Sequence, residues 1–258
     1  MAVMLEARGL GYGYPRRAVG RDLDLQVSAG EVLAVLGPNG GGKTTLFRTL
    51  LGLLAPQAGA VLLDGQALDT MPRGGVARRA GYVPQGHAPQ FAFTVREAVL
   101  MGRTSHIGLF AAPGAADRDA AGRAIRTLGI GELAERVVTE LSGGERQLAM
   151  IARALAQGAR LLILDEPTAS LDFGNQVRVL RELRRLAAEG YAIVFSTHDP
   201  GQAFLAASRV LLIAQGGARR QGTPEEVITA ENLREVYGVE VRVQAVGGMR
   251  ACVPVLAP

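Results

Sequence analysis

Short unbroken apolar runs alternate along this chain with stretches in which apolar residues recur every three or four positions. Val32-Leu33-Ala34-Val35-Leu36 ends at glycine, and Leu161-Leu162-Ile163-Leu164 ends at two acids. Such runs suit strands covered on both faces of a parallel sheet. After the first run and a glycine-rich turn, Leu46, Phe47, Leu50, Leu51 and Leu54 fall at helical spacing with no proline before Pro56. This spacing predicts a helix over 44–54. Residues 60–63, closed by Asp64-Gly65, predict one arm of a hairpin, and Gly81-Tyr82-Val83, stopped by Pro84, a further strand. Between 87 and 158 the pattern changes to helices separated by Gly/Pro/Ala loops such as 108–116, which predicts an inserted helical subdomain. From 161 onward strands and helices alternate again: a strand at 161–164, a helix at 175–189 and a strand at 192–197. Thr223-Pro224-Glu225-Glu226 carries a capping threonine, a proline at the first helical position and a glutamate three residues after the cap, so a helix starts there. Residues 239–244 alternate strictly and predict a half-exposed strand, within a helix and strand extension spanning 220–258.

Composition narrows the class. A chain of 258 residues accommodates one enlarged α/β domain or two small ones, and length alone does not choose between them. Apolar runs such as 161–164 and 210–214 fall far short of the ~20 residues needed to cross a bilayer, so no span is expected. The N-terminal residues lack a basic stretch followed by an apolar core, and a cytoplasmic location is expected. The single Cys252 has no disulfide partner and reads as a filler; three scattered histidines make a structural zinc site implausible. Net charge is +4, but Arg181, Arg184 and Arg185 lie along a predicted helix as a solvated face would. No nucleic-acid partner is expected.

Three segments carry chemistry. Gly37-Pro38-Asn39-Gly40-Gly41-Gly42-Lys43-Thr44 lies between a predicted strand and a predicted helix, the context a phosphate-binding P-loop requires. Glycines let consecutive N–H groups turn toward phosphate oxygens at the positive end of the helix. Lys43 is placed to bridge β- and γ-phosphates, Thr44 to offer a hydroxyl to Mg²⁺, and Thr45 belongs to the same nucleotide-binding stretch. Asp165 and Glu166 end a buried strand, where ligands bind in open α/β sheets. Asp165 is expected to hold Mg²⁺ and Glu166 to polarise a water facing the γ-phosphate. Leu141-Ser142-Gly143-Gly144-Glu145-Arg146-Gln147 opens a helix. It reads equally as a second phosphate site and as an N-cap with a flexible approach.

This last heptad resembles the signature motif of ATP-binding cassette (ABC) proteins, and it lies between the P-loop and the Asp165-Glu166 pair as in that family. The resemblance covers the chain from Leu5 to about Val243. It implies a RecA-like P-loop NTPase core with an N-terminal antiparallel β subdomain and a helical subdomain, all within one ABC ATPase domain. Gln85 resembles the family's Q-loop glutamine, at Mg²⁺ and ATP; Ser170-Leu171-Asp172 resembles the D-loop. His198 resembles the switch histidine that senses the γ-phosphate, and Tyr14, with Tyr12 as its rival, the aromatic residue stacked on adenine. The implied catalytic residues are Glu166, His198 and Lys43. Ser142, Gly143, Gly144 and Asp172 are implied to act in trans, because two copies close head to tail on ATP. Gly41 departs from the family, which more often has serine, alanine or cysteine there. Its added freedom costs ~1 kcal/mol on ordering, and activity is expected to survive.

Residues 99–106, 169–176 and 235–239 further resemble the ATPase subunits of bacterial importers for iron-siderophores, haem and vitamin B12. That likeness implies a peripheral position on the cytoplasmic face of the inner membrane, a polytopic permease contacted through a groove around Gln85, and indirectly a substrate-binding protein. His106 reads as an exposed loop residue near that contact. A soluble ABC ATPase acting on DNA or ribosomes, and an exporter subunit, are the alternatives.

Overall fold

The computed structural model describes residues 2–86, 92–108 and 111–255; the proposed start of the helical segment, at 87–91, lies outside them. The chain opens with two long antiparallel strands, β1 (Val3–Tyr14) and β2 (Arg17–Ser28). In β2, Leu23, Leu25 and Val27 are buried while Asp24 and Gln26 face outward, the period-2 pattern of a sheet with one wet face. β3 (Val32–Leu36) runs into α1 (Lys43–Leu50), and β4 (Ala58–Leu63) turns through Asp64-Gly65 into β5 (Gln66–Ala67). These strands give an antiparallel sheet ordered β2-β1-β4-β5. α2 (Arg73–Arg79) leads into β6 (Ala80–Val83).

The chain then leaves the sheets. α3 (Val95–Leu100), a 3-10 stretch (Met101–His106), α4 (Ala115–Thr127) and α5 (Gly143–Ala156) occupy the interval before β7 (Leu161–Leu164). α6 (Phe173–Ala188), β8 (Ala192–Thr197), α7 (Pro200–Ala206), β9 (Arg209–Ala214) and β10 (Gly217–Gly222) follow. The tail is α8 (Pro224–Val227), α9 (Ala230–Tyr237) and a hairpin of β11 (Val241–Val246) and β12 (Met249–Pro254).

Among the described residues the second sheet has the order β10-β9-β3-β8-β7-β6, parallel except for β10. Its unbroken apolar runs feed two cores at once, because successive side chains point to opposite faces. Leu36, Leu164 and Phe195 join the helices α3 to α7 on one side. Leu33, Ile163 and Val194 join α1 and the antiparallel sheet on the other.

Among the boundaries that differ from expectation, two have a clear local cause. The helix predicted over 44–54 stops at Leu50, since Gly52 turns into the left-handed region at φ 68° and the Leu53 N–H returns to the Arg48 carbonyl at 2.8 Å. That is a glycine C-terminal stop, and it leaves Leu53 61% exposed despite its apolar side chain. The strand predicted from 239 begins at Val241, because Gly238 caps α9 at φ 69°.

Candidate functional site

Register places the chemistry. β3, β8 and β7 are parallel neighbours, with Leu36 opposite Thr197 and Leu164 opposite Phe195. Their C-terminal ends therefore line up, and the P-loop, His198 and the Asp165-Glu166 pair leave the sheet side by side. The Gly37 N–H donates to the Thr197 carbonyl at 3.2 Å and the Asp165 N–H to the Val83 carbonyl at 2.8 Å, which extends the ladder one residue beyond the strands.

The loop from Gly37 to Thr44 encloses its own lysine. Lys43 is buried, and its Nζ donates to the carbonyls of Gly37 at 2.8 Å and Pro38 at 3.1 Å. Gly42 holds φ 97°, and a Cβ there would lie 2.4 Å from Val19 Cγ1, so glycine is required on both counts. Gly41 does not take a positive φ; a Cβ there would sit 3.0 Å from the Pro38 carbonyl oxygen, a tight but not left-handed position. The cleft in front of the loop has a volume of about 750 Å³. Its lining runs from Pro38, Asn39 and Gly40 to Thr44 and Thr45, with Tyr14, Gln85 and Glu166 at the rim.

Glu166 is where the candidates meet. Its Oε1 lies 3.2 Å from Lys43 Nζ, while Oε2 accepts from Gln85 Nε2 at 3.0 Å and lies 3.6 Å from His198 Nδ1. The carboxylate is 9% exposed, whereas the imidazole faces solvent. A cation and an amide donor thus keep a largely desolvated carboxylate oriented toward the cleft. Glu166 also adopts φ 45°, a conformation that costs a non-glycine residue energy and persists where surroundings enforce it.

Ser196 does the enforcing. Fully buried on β8, its hydroxyl accepts from the Glu166 N–H at 2.8 Å and donates to Asp165 Oδ1 at 2.6 Å. Beyond Asp165, Tyr82 is half-buried, and desolvation together with the Asp165 carboxylate pushes its hydroxyl up to about 12. The hard oxygen donors of Thr44, Asp165 and Gln85 suit Mg²⁺, which is bound through few protein ligands and substrate phosphates. A further buried network joins Gln202 Oε1 to the hydroxyls of Thr168 at 2.7 Å and Thr197 at 3.0 Å, tying the loop after Glu166 to the loop carrying His198. Ser196 and Gln202 were not singled out in the sequence. A serine inside an otherwise apolar strand was the available signal.

Ser142, Gly143, Gly144 and Asp172 do not line this cleft. They form a patch of their own. Ser142 caps α5 in a reciprocal box with Glu145: the Ser142 N–H donates to Glu145 Oε2 at 2.9 Å and the Glu145 N–H to Ser142 Oγ at 3.3 Å. Gly144 packs so closely on Asn175 that a Cβ would meet its Oδ1 at 2.1 Å, and a Cβ on Gly143 would meet Leu171 at 2.9 Å. Asn175 in turn donates to Asp172 through its N–H at 2.8 Å and Nδ2 at 2.7 Å. Asn175, also missed in the sequence, fastens the heptad to the D-loop-like turn.

Burial separates the two tyrosines. Tyr12 is 0% exposed under the P-loop, while Tyr14 is 41% exposed and lines the cleft. His106 is exposed, as expected, at the end of the 3-10 stretch, and its Nε2 bonds to the Gln157 carbonyl at 2.7 Å.

Residues 21–169, more than half of the chain, match the ABC transporter family model. The chain belongs to the ABC transporter family. Within it, the hemin import ATP-binding protein HmuV of Nocardia farcinica is 41% identical over 98% of this chain and 90% of its own length. The ferric enterobactin transport ATP-binding protein FepC of Escherichia coli is 39% identical over 91% of this chain and 87% of its own. A solved inward-facing structure described as a metal-chelate type ABC transporter superposes with a TM-score of 0.87 at 35% identity, covering 99% of this chain and 98% of that one. The chain is thus an ABC ATP-binding subunit, an ATP hydrolase on the ABC ATPase fold.

Proposed function

We propose that this subunit energises a bacterial importer of metal chelates, of the iron-siderophore, haem or cobalamin class. It works as a head-to-tail pair docked on a polytopic permease at the cytoplasmic face of the membrane. The observation that carries the catalytic part is the convergence of Lys43, Gln85 and His198 on the Glu166 carboxylate at the mouth of the P-loop cleft. Lys43 neutralises phosphate charge, Glu166 accepts a hydrogen bond from the attacking water, and His198 senses the γ-phosphate. Tyr14 stacks on the adenine from the rim. Mg²⁺, held by Thr44, Asp165 and Gln85, supplies charge neutralisation on the phosphates.

The separate patch of Ser142, Gly143, Gly144 and Asp172 supports a site completed by a second copy: one cleft lacks what the other copy's patch offers. Nucleotide then favours the closed pair because its γ-phosphate touches both copies only there. A groove of about 760 Å³ between Gln85, Met101, Thr104, Arg146 and Met150 supports docking of a permease helix beside the cleft. Among the described residues no helix is long and apolar enough to cross a membrane, so membrane attachment rests on that partner. The cargo class rests on the likeness to ATP-binding proteins named for ferric enterobactin transport, hemin import and cobalamin import.

Glu166→Gln is expected to bind ATP, pair stably and turn over at least about a hundredfold more slowly. Lys43→Ala is expected to lose ATP affinity. Wild-type turnover by the first, or unchanged affinity in the second, overturns the assignment. Co-purification with a polytopic membrane protein, and stimulation of hydrolysis by a ferric siderophore, haem or cobalamin once binding protein and permease are reconstituted, test the importer reading. Co-sedimentation with ribosomes or DNA refutes it.

A further inference from the structure

The loop that carries His198 is fixed from the C-terminal tail. His198 stands between β8 and α7, and its flanking groups are held locally: the Asp199 N–H donates to Thr197 Oγ1 at 3.0 Å and the Gly201 N–H to Asp199 Oδ1 at 2.8 Å. The peptide carbonyl of His198 itself takes a different kind of partner. Tyr237, in the last turn of α9 and 39 residues away in sequence, donates its hydroxyl to that oxygen at 3.1 Å.

The tail is built to hold this tyrosine in place. Thr229 caps α9 by accepting from the Asn232 N–H at 3.2 Å, Asn232 Nδ2 donates to the Val227 carbonyl at 2.9 Å, and Leu233 is buried. Gly238 ends the helix immediately after Tyr237. The β11–β12 hairpin closes behind it: β12 packs on α7, and Val241, Val243 and Cys252 rest against the helical core. Burial raises the Tyr237 hydroxyl far above its ordinary value, with the charges of Asp199 and Glu166 adding to the effect. It therefore stays a donor throughout the working pH range.

We infer that Tyr237 is a positioning residue for hydrolysis: through the His198 carbonyl it sets the peptide from which the imidazole reaches Glu166. The inference rests on the proposed use of His198 and Glu166 in hydrolysis. Nδ1 stands 3.6 Å from Glu166 Oε2 on a side chain that leaves this peptide, so a shift of the peptide changes that separation.

The test is a cycle of four full-length proteins: wild type, Tyr237→Phe, His198→Ala and the double variant. Tyr237→Phe keeps the ring and removes only the hydroxyl, and His198→Ala leaves the carbonyl in place. kcat at saturating ATP is expected to fall about fivefold in Tyr237→Phe, the effect of one lost hydrogen bond, with ATP affinity unchanged. In the His198→Ala background the same change is expected to have no further effect, because the hydroxyl acts through the imidazole. Equal losses in both backgrounds, or wild-type kcat in Tyr237→Phe, overturn the inference while leaving the site intact. Wild-type kcat in His198→Ala instead overturns the proposed use of the histidine, and the inference with it. Amide hydrogen exchange gives an independent readout. At Asp199 and Gly201 it is expected to quicken several-fold in Tyr237→Phe with 41–46 unchanged; unaltered exchange at both overturns the inference.

Discussion

Ser196→Ala removes one oxygen atom from the site and tests most of its geometry. The hydroxyl is fully buried, accepts from the strained Glu166 N–H and donates to the Asp165 carboxylate. A hydrogen bond to a charged group contributes about 1.5–3 kcal/mol, and a buried N–H left unpaired costs about 1–3 kcal/mol. The two losses overlap, so about 2–4 kcal/mol of destabilisation is expected, read from the urea midpoint at constant slope. With its N–H released, Glu166 leaves φ 45° for the ordinary region, and its carboxylate moves off the line between Lys43 and His198. Turnover at saturating ATP is then expected to fall at least about tenfold, since small misplacements of a reacting group are expensive. Ser208→Ala is the control. The Ser208 hydroxyl also accepts once and donates once, here with two backbone groups, accepting from Val32 N–H at 3.1 Å and donating to Val32 O at 3.0 Å, but at the opposite end of β3 from the P-loop. It is expected to lose stability and keep its kcat. Wild-type turnover in Ser196→Ala, or equal kcat losses in both variants, refutes the reasoning.

Tyr14→Ala is expected to weaken ATP binding about tenfold by removing a stacking face from the cleft. Tyr12→Phe is expected to leave ATP affinity unchanged and to raise stability by up to about 1 kcal/mol, since the Tyr12 hydroxyl is buried without a hydrogen-bond partner; calorimetry and urea titration read both. The Glu145 carboxyl lies below its usual 4.5 because it accepts from the Ser142 N–H and hydroxyl. A depressed folded pKa gives stability that is present above pH 4.5 and lost as pH falls through the folded value. The stability gap between the wild type and Glu145→Ala is therefore expected to hold from pH 7 to about 5 and to close toward pH 3; a gap constant down to pH 3 refutes the cap's electrostatic part.

β3, β7 and β8 were legible because a strand covered on both faces has to be largely apolar: β3 and β7 are so throughout, and β8 up to Phe195, before Ser196 and Thr197. The glycine spacing of the P-loop was legible for a related reason: Gly42 has no alternative at its φ and clearance. The helix end was misjudged because Leu54 continues the apolar spacing past Gly52, and spacing does not register a left-handed turn. β1 escaped individual assignment because register shifts on either side of Leu10 break its alternation, whereas β2 escaped it although Leu23, Leu25 and Val27 alternate with polar residues. Ser196 and Tyr237 were illegible for a different reason. Their roles depend on which strand lies beside which, and on where a tail returns, and neither is written in local pattern.

β6 occupies the outer edge of the parallel sheet and pairs only with β7 among the described strands. The chain departs for α3, α4 and α5 from the end of β6 and re-enters at β7. That whole excursion is consequently hung from two adjacent strands at one border of a stiff plate, like a leaf on its petiole. Gln85 sits at the attachment, bonded to Glu166. A tilt of the excursion is thus expected to tug on the Glu166 carboxylate through the Gln85 amide while the distance from the P-loop to Asp165 stays fixed by the central strands.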